Sequence, residues 1–319
     1  AKRKLPLHDL LIVKATAPSA FLTLFLTEKN HRFKMKPAFK GNKEEKKTDG
    51  GERRMKKIGF IGMGNMGYAI LKGLLQVFDK TELILTDANQ ERAEAVSQET
   101  GVEAAGDNKS CASQAEFVVL AVKPQFYHMV LDDVKDIIKK EQIIISIAPS
   151  VTIADLKAAL GQDKRIVRAM PNTPALVGMG VTGVCYDRKE FTQEEEAVIR
   201  TFFESFGTME LVEERLINAV VCASGSSPAY VYMFIEALAD SAVKYGLPRD
   251  TAYRMAAQAV MGSAKMVLET GEHPGTLKDR VCSPGGTTIA AVSALEEHGF
   301  RSAVIKAADA CYEKCLNMK

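Results

Sequence analysis

The 319-residue chain contains no Cys-x-x-Cys pair and no Cys/His spacing suited to zinc, so no metal site is expected. Beyond residue 54 its only histidines are His128, His273 and His298, and none stands beside a serine or aspartate in a nucleophile motif. Aromatics are sparse at 7%, whereas 46% hydrophobic and 26% charged residues are ordinary for a globular protein. Those figures exclude collagen-like, disulfide-scaffold and wholly disordered chains. At about 150 residues per domain the length suits two domains. Residues 1–54 carry 14 Lys/Arg against 6 Asp/Glu and the remainder 28 against 34, so the overall +2 hides a basic first segment and a body at −6. Such a body is a poor partner for nucleic acid or an anionic membrane, and neither is expected. The six cysteines read as free thiols of a reducing, cytoplasmic setting; Cys311 and Cys315, four apart, share a helical face, which reads as packing rather than a redox pair.

Residues 1–54 read as a disordered or non-native extension, with scattered Lys/Arg and no apolar period. The apolar stretch Ala15 to Thr27 is broken by Pro18 and too short to span a bilayer. Lys2, Arg3 and Lys4 ahead of it suggest a targeting peptide, a reading that Asp9 weakens. Met55 is a further candidate for the natural first residue.

From Met55 the pattern changes. An apolar strand, Ile58-Gly59-Phe60-Ile61, runs into Gly62-Met63-Gly64-Asn65-Met66-Gly67 and then into apolar residues at helical spacing. Gly62 permits a tight turn, Gly64 lets backbone approach a pyrophosphate, and Gly67 lets helix and strand pack closely. The helix start presents free N–H groups to phosphate. A second strand, Leu83 to Thr86, ends in Asp87, 25 residues after Gly62, near the spacing of a ribose-binding carboxylate. Asp87 on the 2′-OH would favour NADH; Asn89 and Arg92 beyond it could hold a phosphate instead, and Asp87 could equally cap a helix over Asn89 to Thr100. Near-continuous apolar strands follow at 117–122, 142–147 and 165–170, as in a buried parallel sheet, with helices at 127–139 and 152–160 between them. Their ends, Lys123-Pro124, Ala148-Pro149 and Pro171-Asn172-Thr173-Pro174, should line the cofactor; Lys123 is either a phosphate or ribose contact or a solvated lysine.

After about residue 215 the spacing predicts helices only, over 229–245, 250–270, 287–298 and 301–318. Several are apolar on more than one side, which suits a surface covered by a second chain. Between them, Ser283-Pro284-Gly285-Gly286-Thr287-Thr288 opens a helix with two glycines and two hydroxyls: a seat for one carboxylate or phosphate, or simply a Thr-capped helix start. A dinucleotide site without an evident acid/base suits an iminium acceptor, since an alcohol or ketone would need His, Lys or Tyr to move its proton.

From Met55 onward the chain resembles the pyrroline-5-carboxylate reductase family. The resemblance rests on Gly59 to Gly67, Ala121-Val122-Lys123-Pro124, Met170 to Pro174, Ser224-Gly225-Ser226-Ser227-Pro228-Ala229-Tyr230, His273 to Asp279 and Ser283 to Ile289. It implies an oxidoreductase that passes hydride from NADPH or NADH to the C=N bond of 1-pyrroline-5-carboxylate, giving L-proline. It implies that Gly62, Met63, Gly64, Asn65, Met66 and Gly67 cradle the pyrophosphate and that Asn108 and Ala121 to Pro124 contact the cofactor. Ser283 with the backbone of Gly285, Gly286, Thr287 and Thr288 would hold the substrate carboxylate. Thr288 would bond the ring nitrogen as the catalytic proton donor, and Glu214 resembles a position that approaches substrate. The family forms homodimers, often gathered into rings of five. One departure is Ser227, where the family usually has glycine; a positive φ there would strain a serine.

The expected fold is α/β: a Rossmann-like, doubly wound, mostly parallel sheet in a dinucleotide-binding domain at 55–214, followed by an all-α oligomerisation and substrate-binding domain at 215–319. Two alternatives stand beside it. A β-hydroxyacid-type dehydrogenase or other imine reductase is one, although the lysine-x-x-x-asparagine pattern of the former is absent at Lys244 and Lys265. A non-catalytic dinucleotide sensor is the other.

Overall fold

The structure, a computed structural model, describes residues 55–317. The readings for residues 1–54 lie outside the described residues, as does Met318 at the end of the last expected helix. Eight strands form one sheet in the order β3-β2-β1-β4-β5-β6-β7-β8. They are β1 (Lys56–Ile61), β2 (Leu83–Thr86), β3 (Glu103–Ala104), β4 (Ala115–Leu120), β5 (Ile143–Ser146), β6 (Arg165–Met170), β7 (Gly180–Cys185) and β8 (Gly207–Leu211). Neighbours run parallel except β6 and β7. The sheet carries α1 (Asn65–Leu74), α2 (Gln90–Thr100), α3 (Asn108–Ser113), α4 (Tyr127–Val134), α5 (Ile153–Leu160) and α6 (Gln193–Glu204).

The two-residue period of the strands sorts their side chains into two cores. Ile58, Phe60, Phe117, Val119, Ile143, Ile145 and Val167 face α1, α2 and the phenylalanines Phe202, Phe203 and Phe206. Ile61, Val118, Leu120, Ile144 and Ile166 face α3, α4 and α5. Covered on both faces, the central strands are apolar throughout, which is why they read so plainly. Helix starts are fixed by side-chain caps: Asn89 for α2, Asp107 for α3, Thr152 for α5 and Thr192 for α6. The helix expected over 127–139 stops at Val134, because Ile137 and Ile138 both donate to the Val134 carbonyl in a tight turn that buries Ile138. The strands β7 and β8 and the helix α6 extend the sheet beyond what the sequence reading assigned.

After β8 the described chain is helical. A short α7 (Ile217–Val220) runs into one π-helical turn, Val221–Gly225, then α8 (Ser227–Lys244), α9 (Arg249–Thr270), α10 (Pro274–Val281), α11 (Thr287–Glu297) and α12 (Phe300–Leu316). α8 and α9 form an antiparallel pair around Ala239, Ala252 and Ala256, small side chains that admit close backbones. Among the described residues of this half only Ile217 and Val221 join those three as buried apolar side chains, while Met233, Met255, Leu268 and Ile305 are exposed. No helix of the described residues is long and apolar enough to cross a membrane.

Candidate active site: a glycine turn and an uncapped helix start

Strand order reverses between β1 and β4, and the turns that leave these strands flank the resulting crevice. Gly62 donates to the Thr86 carbonyl at 2.9 Å and Ala121 to the Ile61 carbonyl at 2.8 Å, which draws together the ends of β1, β2 and β4. A Cβ on Gly62 would meet the Ala121 backbone at 2.8 Å, and one on Gly67 would fall on the Gly62 carbonyl oxygen, so the turn closes only around glycines. Gly64, by contrast, faces open space, with nothing within 4 Å of where a Cβ would stand. Unlike α2, α3, α5 and α6, α1 has no side-chain cap, and no acidic residue stands in its first turn. Its free N–H groups, beside the bare face of Gly64, fit a pyrophosphate.

Asp87 is not the cap of α2; Asn89 is, accepting from the Arg92 N–H. The Asp87 carboxylate instead accepts from the Met63 N–H at 2.6 Å and the Asn89 N–H at 2.8 Å. Arg92 Nε donates to the Met63 carbonyl at 2.9 Å, so Asp87 after β2 and Arg92 in α2 hold the Met63 backbone at its N–H and its carbonyl. The Arg92 guanidinium also lies 5.0 Å from the Tyr68 ring centre. Asn65 and Lys123 are exposed, Met66, Ala121, Val122 and Pro124 half-buried, and Met63 is buried. Asn108, in the first turn of α3, donates to Asp133 of α4 at 2.9 Å. Asn172 is buried: its amide donates to the Ser224 carbonyl at 3.1 Å and accepts from the Val181 N–H at 3.0 Å, tying β6, β7 and the π-helical turn together.

The second site opens α11. Gly286 donates to the Ser283 carbonyl at 3.0 Å across a Pro284-Gly285 turn, and Gly285 takes the left-handed φ of +69° that such a turn requires at its third residue. The Gly286 N–H is thereby used within the turn. The groups left free by helix geometry are the N–H of Thr287, Thr288 and Ile289, of which Ile289 was not anticipated. α11 too lacks a side-chain cap and any acid in its first turn. Ser283, Gly285 and Thr287 are exposed and Thr288 is half-buried. Glu272 and Arg280 pair across α10, bracing its two ends ahead of this turn.

Glu214 is occupied elsewhere. Its Oε1 accepts from the Ile153 N–H at 2.7 Å and from Arg168 Nη1 at 3.0 Å, while Arg168 Nη2 donates to the Pro149 carbonyl at 2.6 Å. The buried Arg168 thus joins β5, β6 and the chain after β8. Glu214→Ala is expected to strand that guanidinium at a cost of about 3 kcal/mol, the low end for a broken buried pair because water reaches Glu214. Denaturant unfolding that moves by less than about 0.5 kcal/mol would assign the pair no structural weight. Ser227 opens α8 in helical backbone and its hydroxyl donates to the Ala223 carbonyl at 2.8 Å, so the strain expected there does not arise. Among the described residues no group of three or more His, Cys, Asp or Glu is placed to hold a metal ion.

A glycine turn at the switch point of a doubly wound sheet, followed by a helical half with an uncapped anion seat, defines a two-lobed, dinucleotide-dependent oxidoreductase. Residues 214–318 match the family model for pyrroline-5-carboxylate reductase dimerisation, and residues 57–150 match that for NADP oxidoreductase, coenzyme F420-dependent. The pyrroline-5-carboxylate reductase of Escherichia coli is 52% identical over 262 residues, covering 81% of this chain and 97% of that protein. The structure of the reductase from Coxiella burnetii superposes with a TM-score of 0.76 at 35% identity, over 82% of this chain and 98% of that one. The Plasmodium falciparum enzyme, solved with NADP bound, gives 0.74 at 31%, over 83% and 98%. This chain belongs to the pyrroline-5-carboxylate reductase family.

Proposed function

We propose that this protein reduces the C=N bond of 1-pyrroline-5-carboxylate to give L-proline, the last step of proline synthesis, in the cytoplasm. NADPH or NADH supplies the hydride. Residues 55–214 form the dinucleotide-binding domain and residues 215–319 the substrate-binding and dimerisation domain. The observation that carries the reading is the uncapped start of α11, where free N–H groups and the hydroxyls of Ser283 and Thr287 suit one small carboxylate. With the carboxylate seated there, the Thr288 hydroxyl holds the ring nitrogen and supplies or retains its proton. An iminium carbon is already electrophilic, so no histidine or lysine need polarise it. The Gly62–Gly67 turn and the Ala121–Pro124 turn grip the dinucleotide, with Asn108 at the adenosine end. Glu214 and Asn172 act through the backbone they brace. The exposed apolar faces of α8, α9 and α12 are covered by a second copy, giving a homodimer, five of which close into a ring; light scattering at the mass of the decamer tests the larger assembly.

The test of function is absorbance at the nicotinamide band with 1-pyrroline-5-carboxylate added. Consumption of NADPH or NADH is expected; silence with both cofactors saturating would favour a non-catalytic sensor. Asp87→Ser is expected to weaken discrimination against NADPH, because it removes a carboxylate beside the position of the adenosine ribose. Because Asp87 also clamps Met63, binding of both cofactors should loosen together. A measured NADH/NADPH ratio of kcat/KM equal to the parent's would leave Asp87 a brace of the turn and nothing more.

A further inference from the structure

The sequence sets Cys311 and Cys315 on one helical face; the fold adds a third thiol. The π-helical turn packs against α12, and there Cys311 Sγ lies 3.3 Å from Ser226 Oγ. Cys222, Cys315 and Tyr230 neighbour the same sulfur. We propose that Cys311 is a peroxide-oxidisable thiol and that Cys222 resolves it, closing a disulfide between the π-helical turn and α12.

As a thiol Cys311 donates to Ser226 Oγ; once ionised, its sulfur accepts from that hydroxyl instead, and hydrogen bonds to the charged form favour the thiolate, the form that reacts. The Cys311 thiol is held below its ordinary value, the Ser226 hydroxyl being the leading cause. Its neighbours move the other way. Burial pushes the Cys222 thiol up to about 11, with Cys311 adding to the effect, and burial raises Cys315 as well. The buried Cys111 of α3 and Cys185 of β7, pushed up by burial to about 12 and about 11, are inert thiols. Cys315 cannot resolve Cys311: Cβ atoms four residues apart on a helix stand about 5–6 Å apart, beyond the ~3.5–4.5 Å of a disulfide. Cys222 comes from a separate element and has no such limit.

The chemistry balances with hydrogen peroxide as oxidant. The Cys311 thiolate attacks one peroxide oxygen, an S–O bond forms, the O–O bond breaks, and the departing hydroxide takes a proton to become water. Cys222, giving up its proton, then attacks the sulfenic sulfur; an S–S bond forms, the S–O bond breaks, and the hydroxide leaves as a second water. Two thiols and one peroxide become one disulfide and two waters. The bridge would fix α12 to the turn whose Ser224 carbonyl receives the buried Asn172 amide, so oxidation is felt where the sheet meets the helices.

The test uses the reduced, full-length assembled protein, treated with stoichiometric hydrogen peroxide, alkylated, and mapped by non-reducing peptide mass spectrometry. The expected product is a Cys222–Cys311 linked peptide that dithiothreitol removes. Before oxidation, Cys311 should alkylate at least tenfold faster than Cys222 or Cys315. In Cys222→Ser, Cys311 should accumulate as a dimedone-reactive sulfenic acid, and in Cys311→Ser no bridge should form at Cys222. First oxidation at Cys282, a Cys311–Cys315 bridge, or Cys311 remaining fully alkylatable under peroxide would each overturn the proposal, and the parent protein alone suffices to see them.

Discussion

Thr288→Ala is expected to cut kcat by about 100-fold or more while leaving the cofactor Kd within a factor of two or so, the span usual for loss of a positioned proton donor. The asymmetry follows from where the hydroxyl stands. Thr288 is the second residue of α11, and the backbone N–H that the proposed carboxylate seat uses is there whatever its side chain. Alanine keeps that N–H and favours the helix, so the substrate acid group is still held; only the contact to the ring nitrogen is lost. Thr288→Ser should restore most of the rate. Single-turnover rates together with NADPH titration separate the two effects, and an equal fall in both would remove Thr288 from the chemistry.

Gly67→Ala is expected to weaken binding of either cofactor by about 100-fold, worth about 2.7 kcal/mol. The added methyl would fall on the Gly62 carbonyl oxygen, which is backbone and cannot swing aside. α1 must therefore shift away from β1, carrying its N–H groups off the phosphate position, and overpacking of this kind costs roughly 1–3 kcal/mol of stability as well. Gly64→Ala separates the two consequences. Its Cβ meets nothing in the chain, so stability should hold while the space for the pyrophosphate is lost. A Gly67→Ala protein that melts and binds NADPH like the parent would show that α1 is not packed as described.

What was legible beforehand divides by distance along the chain. The glycine turn, the parallel strands and the four long C-terminal helices are written in consecutive residues, and each stands close to where its pattern placed it. The strand β7 is hidden in the sequence because its two glycines and short alternation resemble turn signals, and β8 because Glu210 interrupts it. For α6 the signal was present: Ile199, Phe202 and Phe203 follow helical spacing after a Thr192–Glu195 capping box. Contacts between remote residues left no trace in any window. Glu214 meets Arg168 across 46 positions, and Cys311 meets Ser226 across 85. Asp87 is the subtler case: the spacing that singles it out says nothing of the Met63 N–H that its carboxylate also holds.

Among the described residues the helical half buries only Ile217, Val221 and three alanines. So little buried surface cannot offset the entropy of ordering these helices, which ties its folding to the encounter of two chains. Dilution should then act as a denaturant: the melting point should climb with protein concentration, and a cell making too little of this chain would lose it to proteolysis before it lost it to heat.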